Sequence, residues 1–317
     1  MIDISIIVPA YNSSKYINKC ICYLCRQTFP GTLELIFVDD CSTDNTVSEI
    51  ECSLKQYNYN GEYKIVKHSK NQGAAVARKT GILNSLGEYI LFCDSDDWMD
   101  ERMCEIMYSE AKKFTSGLVV CDYNNIYDNK QSRISSNNYS EDFLQGLLLC
   151  KCTGSLCNKL IRREILLRDD FVYPTASFCE DYVYSIQLSI MASNIRYVPL
   201  PLYNYCHREG SIVTSKDDSA IKRRIKENLE NQSLVEEILK KHNLSEKYYS
   251  ELLALRLIVK NSIRSYFPSK EYYKLWKNTY PEMTVEIFKS HHINFRSKIA
   301  YFLTMFGFYE KIKKFIQ

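Results

Sequence analysis

The sequence has very little net charge. Its 41 Lys and Arg residues nearly balance its 38 Asp and Glu residues, which leaves a formal charge of +3 over 317 residues. A nucleic-acid-binding protein needs a concentrated basic face, so the composition does not support such a partner. The sequence also has no internal repeat, no apolar run long enough for a transmembrane helix and no signal peptide before its first strand-like segment. We therefore expect a globular protein of the cytoplasm.

The sequence also lacks cysteines at the spacing of a zinc site, although cysteine is abundant. The 13 cysteines are an odd number in a long chain, and we interpret them as free thiols in a reducing compartment. Cys20, Cys22 and Cys25 form the tightest group, but they lie in a helical pattern and no second Cys or His pair follows at zinc-finger spacing. We favour small thiols buried on an amphipathic helix over a metal knuckle.

The first part of the chain alternates apolar strands with amphipathic helices. The predicted strands lie at 4–8, 33–40, 63–68, 87–94 and 117–123. Strands without polar alternation, separated by helices, indicate a mostly parallel sheet covered on both faces. The pattern over 120–215 is less regular and includes a hairpin, and a helix opens near Glu180. The remainder is almost wholly helical. We predict an α/β fold with a C-terminal helical region.

Polar clusters follow three of these strands. They lie at 9–12, 39–40 and 94–97. Ligands of parallel α/β sheets bind at the carboxyl ends of the strands. We therefore expect the three clusters to share one rim.

Asp94 and Asp96 suggest a cation site at this rim. Carboxylates two residues apart can reach a common ion, and oxygen ligands without His or Cys favour Mg²⁺ or Mn²⁺. The alternative is an acidic loop that caps the helix predicted from about residue 101.

Asp40 and Arg78 are candidates for contacts with a nucleotide. A carboxylate at the end of the second strand can accept the N3–H of uracil or thymine; Asp39 is hard to distinguish from Asp40, and we favour Asp40. Arg78 follows a Gly-Ala-Ala helix start and could offer planar donors to a pyrophosphate or a ribose. The alternatives are a turn with an N-cap at Asp40 and a solvated helix residue at Arg78.

Glu180 and Asp181 open the later helix. Adjacent carboxylates at a helix N-terminus can simply stabilise its dipole. One of them could instead act as a general base if it faces the rim. The sequence pattern alone leaves both interpretations open.

Taken together, five segments resemble the inverting family-2 glycosyltransferases of the GT-A fold. They occur in the family's order and are "SIIVPAYNSSKYINKCICYLCRQTF", "ELIFVDDCSTDNT", "NQGAAVARKTGI", "GEYILFCDSDDWM" and "CEDYVY". The resemblance implies a GT-A catalytic domain over 1–215, with a nucleotide-sugar-binding half to about 122 and an acceptor-side half over 123–215. The helical C-terminal region would occupy 216–317.

The resemblance also implies roles for individual residues. It implies a nucleotide-sugar donor, with UDP favoured and dTDP as the alternative, and a divalent Mg²⁺ or Mn²⁺ held by Asp94 and Asp96. Asp181 would be the general base, with Glu180 beside it, and Asp40 would read the base. The other nucleotide contacts would be Pro9, Tyr11, Arg78, Ser95, His207, Arg208 and Ser211. The last three belong to "YNYCHREGSIV", similar to a family segment that closes over the diphosphate; Cys206 stands where the family pattern often has Arg.

The acceptor implied by the resemblance is a hydroxyl of a bacterial surface glycan, which we expect to be lipid-linked. The C-terminal end supports this expectation with an apolar stripe at helical spacing and lysines nearby, which could lie on the inner face of the cell membrane. The stripe contains Ile299, Phe302, Leu303, Phe306, Tyr309 and Ile316, and the lysines are Lys298, Lys311, Lys313 and Lys314. Packing on the enzyme body or on a partner subunit is the alternative, and the oligomeric state stays open.

Other functions fit the sequence less well. A sugar nucleotidyltransferase usually has a Gly-rich loop after its first strand, whereas "PAYNSSKY" contains no glycine. A catalytically inactive partner would be expected to lack a carboxylate at 94, 96, 180 or 181, and all four are present. A phosphate-receiving regulatory domain does not match the length of the chain.

Overall fold

The computed structural model describes residues 2–127, 130–134, 142–207, 217–267 and 269–308. The strands are β1 (Ile4–Ala10), β2 (Leu33–Asp39), β3 (Glu62–Lys67), β4 (Tyr89–Phe92), β5 (Trp98–Met99), β6 (Leu118–Tyr127), β7 (Lys130–Ile134), β8 (Lys159–Arg162) and β9 (Ile195–Cys206).

The helices cover both faces of the sheet and then form the C-terminal part. They are α1 (Ile17–Cys25), α2 (Thr46–Gln56), α3 (Ala74–Asn84), α4 (Met103–Phe114), α5 (Phe143–Leu148), α6 (Arg163–Leu166), α7 (Glu180–Met191), α8 (Asp218–Lys241), α9 (Tyr249–Arg264), α10 (Lys270–Asn278), α11 (Met283–Glu286), a 3₁₀ turn (Ile287–Lys289) and α12 (Phe295–Met305). Within the described ranges, none of these helices combines the length and apolar character needed to cross a bilayer.

One sheet runs through the molecule in the order β3-β2-β1-β4-β8-β6-β9-β5, with β7 paired to β6. The first four of these strands are parallel, and the five predicted strand segments correspond to β1, β2, β3, β4 and β6. The second half is mixed, because β8 runs antiparallel to both β4 and β6. Strand order reverses between β1 and β4, and such a switch point opens a crevice at the carboxyl ends of the two strands.

Alternating side chains of each strand supply the two faces of the sheet. Ile6 and Val8 of β1 point toward α1, α2 and α4, whereas Ile7 points toward α3 and α7. Helices α8 and α9 pack on the same face as α3, with Val235 and Leu252 in its core. A third core lies among α9, α10 and α12. The division of the chain at about residue 216 stays a prediction.

A buried acid fixes the turn that leads into β4. Glu34 of β2 is fully buried, and its Oε1 accepts hydrogen bonds from Ser5 Oγ (2.5 Å) and Gly87 N (3.2 Å). Its Oε2 pairs with Lys64 Nζ at 3.2 Å. Because a buried charge is costly unless it is paired and hydrogen-bonded, this network holds β4 in register with β1 and β2.

Candidate active site

Hydrogen bonds join the ends of the first, second and fourth strands. Ser13, after β1, and Ser95, after β4, have hydroxyl oxygens 2.7 Å apart. Asn12 Oδ1 accepts from the backbone N of Thr43, after β2, at 2.8 Å. The three polar clusters therefore form one rim beside the switch point of the sheet.

The carboxylates in the loop after β4 have different surroundings. The side chain of Asp94 is 32% exposed, and Asp96 is half-buried. Asp97 is buried instead: it accepts hydrogen bonds from the hydroxyl of Tyr203 (2.8 Å) and the backbone N of Cys206 (2.7 Å). Burial, with Asp94 and Asp96 adding to it, raises the pKa of Asp97 well above its usual range. Asp97 thus anchors the end of β9 beneath the rim.

Arg78 connects the two acidic motifs. The guanidinium of this buried residue donates from Nη2 to Asp94 Oδ1 (2.7 Å) and from Nη1 to Glu180 Oε1. Burial opposes the charge of Arg78, but the carboxylates of Asp94 and Glu180 outweigh it and raise its pKa. Arg78 was predicted to contact the nucleotide; the structure places it between the loop after β4 and the start of α7.

The two acids that open α7 differ in the same way as those after β4. Glu180 is buried on Arg78, whereas Asp181 is half-buried and accepts from the backbone N of Tyr182 at 2.9 Å. Burial raises the pKa of Glu180 to about 8; the charge of Arg78 opposes this shift and Asp181 adds to it. Burial also raises the pKa of Asp181, against the charges of Arg78 and Lys159. Of the pair, Asp181 is the carboxylate without an ion-pair partner at hydrogen-bond distance in the described part of the chain.

Asp40 follows β2 in the chain, and its side chain contacts the loop that leads into α3. Its nearly buried carboxylate accepts from the backbone N of Gln72 (2.9 Å) and Gly73 (2.7 Å), and one oxygen lies 2.7 Å from His68 Nδ1. Asp39 accepts from the backbone N of Ser42 at 3.3 Å. The structure therefore distinguishes the two acids, since Asp40 holds the loop between β3 and α3.

Gly73 brings that loop into contact with the segment before α7. Its φ of +87° lies in the left-handed region, and a Cβ there would stand 2.3 Å from Ser177 Oγ. Only glycine meets both conditions without strain. The close approach brings the start of α3 next to the chain that leads into Glu180 and Asp181.

The remaining predicted residues lie around the rim or outside the described residues. Pro9 is half-buried on β1, and Tyr11 is 46% exposed just after it. His207 stacks on Tyr127, with 3.9 Å between ring centres, and its Nε2 lies 3.0 Å from Asn125 Oδ1. Burial lowers the pKa of His207. Arg208 and Ser211 fall outside the described residues.

The oxygen donors after β4 fit a metal only as part of a larger set. In the described part of the chain, no group of three or more His, Cys, Asp or Glu side chains is arranged to hold an ion. Two carboxylates, Asp94 and Asp96, are what an Mg²⁺-type ion uses when water and substrate phosphates complete its shell. The donor set therefore fits a cation bound together with a diphosphate, but not one held by protein alone.

Sequence reasoning missed two residues near this site. Tyr203 of β9 bridges the loop after β4, since its hydroxyl accepts from Asp94 N (3.0 Å) and donates to Asp97. Lys159 of β8 is fully buried. The sequence held a signal for Lys159, which directly precedes the apolar pair Leu160-Ile161. Nothing in the sequence distinguishes Tyr203 from the other tyrosines, of which the chain has 25 in all.

The family described as Glycosyl transferase family 2 matches residues 5–173, more than half of the 317 residues. The chain belongs to this family. The match covers β1 to α6 and confirms the family resemblance found in the sequence.

Several curated members of family 2 are similar to the chain. EpsH of Bacillus subtilis is 31% identical over 66% of this chain and 62% of its own length. Glycosyltransferase GlyG of Streptococcus pneumoniae is 27% identical over 86% of this chain and 90% of its own length. The poly(ribitol-phosphate) beta-N-acetylglucosaminyltransferase TarS of Staphylococcus aureus is 27% identical over 68% of this chain, but over 37% of its own length. The chain therefore spans less than two thirds of EpsH and of TarS.

Solved structures confirm the fold class. The structure of Staphylococcus aureus TarS 1–349 in complex with UDP-GlcNAc covers 95% of this chain and 91% of its own, with a TM-score of 0.61 and 18% identity. A mannosyltransferase of Pyrobaculum calidifontis, in complex with GDP-Man and Mn²⁺, has a TM-score of 0.56 and 17% identity, with 95% and 85% of the two chains covered. At these identities the likeness concerns the fold: an α/β GT-A sheet with helices and a C-terminal helical region.

Proposed function

We propose that this family-2 protein is an inverting glycosyltransferase of bacterial surface polysaccharide synthesis. It would move a sugar from a UDP- or dTDP-sugar to a hydroxyl of a glycan acceptor, which we propose is lipid-linked. The observation that carries the proposal is Arg78, which joins Asp94 of the strand-end rim to Glu180, the residue before Asp181. One buried cation thus joins the loop that carries Asp94 and Asp96 to the start of α7, which carries Asp181.

We assign the general base to Asp181 and a positioning role to Glu180. Glu180 is buried and bonded to Arg78, so its carboxyl group is committed to the scaffold, whereas Asp94, which shares Arg78, is 32% exposed. Asp181 would accept the proton of the acceptor hydroxyl while that oxygen attacks the anomeric carbon and the bond from this carbon to the diphosphate breaks. Retention would need a second carboxylate, beneath the anomeric carbon, to act as the nucleophile. We assign no residue to that position, and a single displacement inverts the anomeric centre.

The donor would lie along the rim. Asp94 and Asp96 would hold Mg²⁺ or Mn²⁺, which when bound offsets the charge that develops on the leaving diphosphate. We propose that Asp40 contacts the pyrimidine N3–H; the backbone N–H groups of Gln72 and Gly73, together with His68, hold its carboxylate in place. Pro9, Tyr11 and Ser95 would line the nucleotide, and His207, Arg208 and Ser211 would lie toward the diphosphate. TarS, solved with UDP-GlcNAc, supports a UDP-sugar donor.

Thermal shift with a panel of nucleotide sugars tests the donor. A ligand that binds the native state stabilises it by mass action, so a UDP- or dTDP-sugar should raise the melting temperature, more so with Mn²⁺. Selective stabilisation by GDP-sugars would contradict the role of Asp40.

Sugar transfer by Asp181→Asn tests the base. We expect kcat to fall by about 10²–10⁴-fold, the contribution of a positioned general base, while donor-induced stabilisation is retained. Asp170→Asn is the matched control, since Asp170 pairs with exposed Arg168. Transfer by Asp181→Asn at the rate of the control would refute the base assignment.

We also propose that the C-terminal surface contacts an anionic bilayer. Large apolar side chains around α12 are exposed, among them Phe295 (71%) and Phe306 (73%). Lys289 and Arg296 of the same C-terminal region are also exposed, which suits anionic lipid. The predicted stripe is covered only in part, because Phe302 is half-buried and stacks on Phe288. Tyr309, Lys311, Lys313, Lys314 and Ile316 fall outside the described residues.

Co-sedimentation with vesicles tests this contact. We expect binding to phosphatidylglycerol vesicles, weaker binding to phosphatidylcholine vesicles, and loss of binding in Phe295→Ser/Phe306→Ser. If this double variant sediments like wild type, the surface does not bind lipid. A change of oligomeric state in the variant would show instead that a second copy covers the surface.

A further inference from the structure

Lys159 lies near the candidate site, and the proposed function assigns it no role. It belongs to β8, and its side chain is fully buried. Its Nζ donates to the carbonyl oxygens of Thr153 (3.1 Å) and Ser155 (2.5 Å) and to Asn158 Oδ1 (3.1 Å). An ammonium group has three donors, so three oxygens satisfy it. All three are uncharged, and no carboxylate among the described residues is bonded to Lys159.

The loop bonded to Lys159 packs directly on the first turns of α7. A Cβ at Gly154 would stand 2.9 Å from Tyr182 Cδ2 and 3.2 Å from Tyr182 Cα. Ser185 Oγ donates to the carbonyl of Gly154 at 2.6 Å. The loop therefore contacts α7 at the residue after Asp181 and again one turn further on. Removal of the Lys159 amine would release the loop that supports this end of the helix.

The charge of Lys159 also acts on Asp181. Burial lowers the pKa of Lys159 to about 8, and Asp181 is among the groups that oppose this shift. Arg78 divides its charge between Asp94 and Glu180, whereas Lys159 bonds to uncharged oxygens. The titratable groups that act on Asp181 from the elements around it are Arg78 of α3, Asp94 after β4, Tyr123 of β6, Lys159 of β8, and Cys179 and Glu180 at the start of α7.

We propose that Lys159 is a positioning residue for Asp181: it holds the loop from Thr153 to Asn158 against α7 and supplies positive charge that favours the carboxylate form of the base. The inference rests on the proposed role of Asp181 as general base. It assigns a function to the "NKLIRR" segment, which lies within the family match but carries none of the residues that the resemblance pointed to.

The test is the pH dependence of kcat/KM for the full chain with Lys159→Met. The variant keeps the length of the side chain but loses its charge and donors. We expect kcat to fall on the order of 10²-fold, as for a misplaced reacting group, and the acid limb of the profile to move to higher pH. The acid limb moves because Asp181 must be ionised to act as a base, and loss of a nearby positive charge raises its pKa.

Lys260→Met is the matched control. Lys260 is also fully buried and bonded to a carbonyl, that of Thr279, but it lies in α9 within the C-terminal core. We expect it to lower the melting temperature without moving the acid limb. If Lys159→Met and Lys260→Met give the same pH profile, the role of Lys159 is structural and the inference is wrong.

Two further variants keep the test decisive if Lys159→Met does not fold. Lys159→Arg retains the charge and should leave the acid limb in place while kcat falls. Ser185→Ala cuts the bond between the loop and α7 without a change of charge, and it should lower kcat with an unmoved acid limb. Wild-type kcat in Ser185→Ala would refute the support of α7 by the loop, and a moved acid limb in Lys159→Arg would refute the role of charge.

Failure of this inference can be distinguished from failure of the proposed function. If Asp181→Asn transfers sugar at the wild-type rate, the base assignment fails and the inference falls with it. If Asp181→Asn is inactive while Lys159→Met keeps the wild-type profile, only the role of Lys159 is refuted.

Discussion

The site and the C-terminal helical region each bury a lysine completely, and the two lysines differ in what surrounds them. Burial lowers the pKa of Lys159 and of Lys260 to about 8. Lys260 Nζ donates to Thr279 O (2.5 Å) and lies 4.6 Å from the ring centre of Trp276. The acid that acts on it, Glu282, is exposed and pairs with Arg256 at 3.3 Å. Around Lys159 the corresponding acid is Asp181, which is half-buried.

This difference shows that a buried charge is not by itself a sign of function. In the helical region, carbonyls and aromatic rings satisfy Lys260, and its acid faces water. At the site, Arg78 acts on Asp94, Glu180 and Asp181, and Lys159 acts on Asp181, so that basic and acidic side chains are concentrated within the protein. The feature that marks the site is therefore a buried positive charge, that of Lys159, which acts on an acid, Asp181, that is itself bonded to no cation among the described residues.

The largest effect on stability should come from breaking the ion pairs of Arg78. Arg78→Met leaves the buried acid Glu180 and the carboxylate of Asp94 without their shared partner, and we expect a loss of about 3–5 kcal/mol in the free energy of unfolding, measured by urea denaturation. Arg78→Met/Glu180→Gln should lose less, because the buried acid that depends on Arg78 is gone. The control is Arg256→Met in the helical region, whose pairs with Glu236 and Glu282 are partly solvated, so that its loss should be smaller than that of Arg78→Met. Equal losses for Arg78→Met and Arg256→Met would erase the contrast between the regions.

A smaller effect is expected for Lys260→Met. Loss of its amine leaves the carbonyl of Thr279 without this donor, at a cost of about 1–3 kcal/mol. In wild type, the folded chain has released the Lys260 proton above about pH 8, whereas the unfolded chain holds it until about pH 10. Stability therefore rises with pH across this window. The rise should be smaller in Lys260→Met when urea denaturation is repeated from pH 7 to 10, and an unchanged slope would contradict the lowered pKa.

In the helical region, the smallest effect is expected from removal of a single hydroxyl. Tyr203→Phe loses the bonds from the hydroxyl to Asp97 and to the backbone N of Asp94, which we expect to cost about 1–3 kcal/mol because Asp97 is buried and loses a hydrogen-bond partner. Tyr301→Phe is the counterpart in the helical region, since its hydroxyl is 3.3 Å from Lys260 Nζ, and it should cost about 1 kcal/mol or less. Thermal unfolding of the two variants compares them directly. A larger loss in Tyr301→Phe would reverse the expected order.

Local sequence pattern was enough to predict the first half of the fold. Apolar runs and helical periodicity located β1 to β4 and the helices between them, because each of these elements buries a face that its own residues define. β8 was missed because four residues carry little periodic signal and its antiparallel place depends on two distant strands.

The identity of the candidate residues could be read from the sequence, but their partners could not. Arg78 and Glu180 lie 102 positions apart, and no local pattern indicates that they meet. Asp94 and Asp97 are chemically identical, and only the position of β9 makes one of them half-exposed and the other buried.

The contact between Gly73 and Ser177 limits how this protein can vary during evolution. Any side chain at 73 would be strained by its φ of +87° and would meet Ser177 Oγ within 2.3 Å. A larger residue at 177 would likewise clash with the backbone of Gly73, because glycine has no side chain that could change its rotamer to make room. Mutations at these two distant positions are therefore not independent, and a change at either one would be tolerated only if the start of α3 and the chain before α7 shift together.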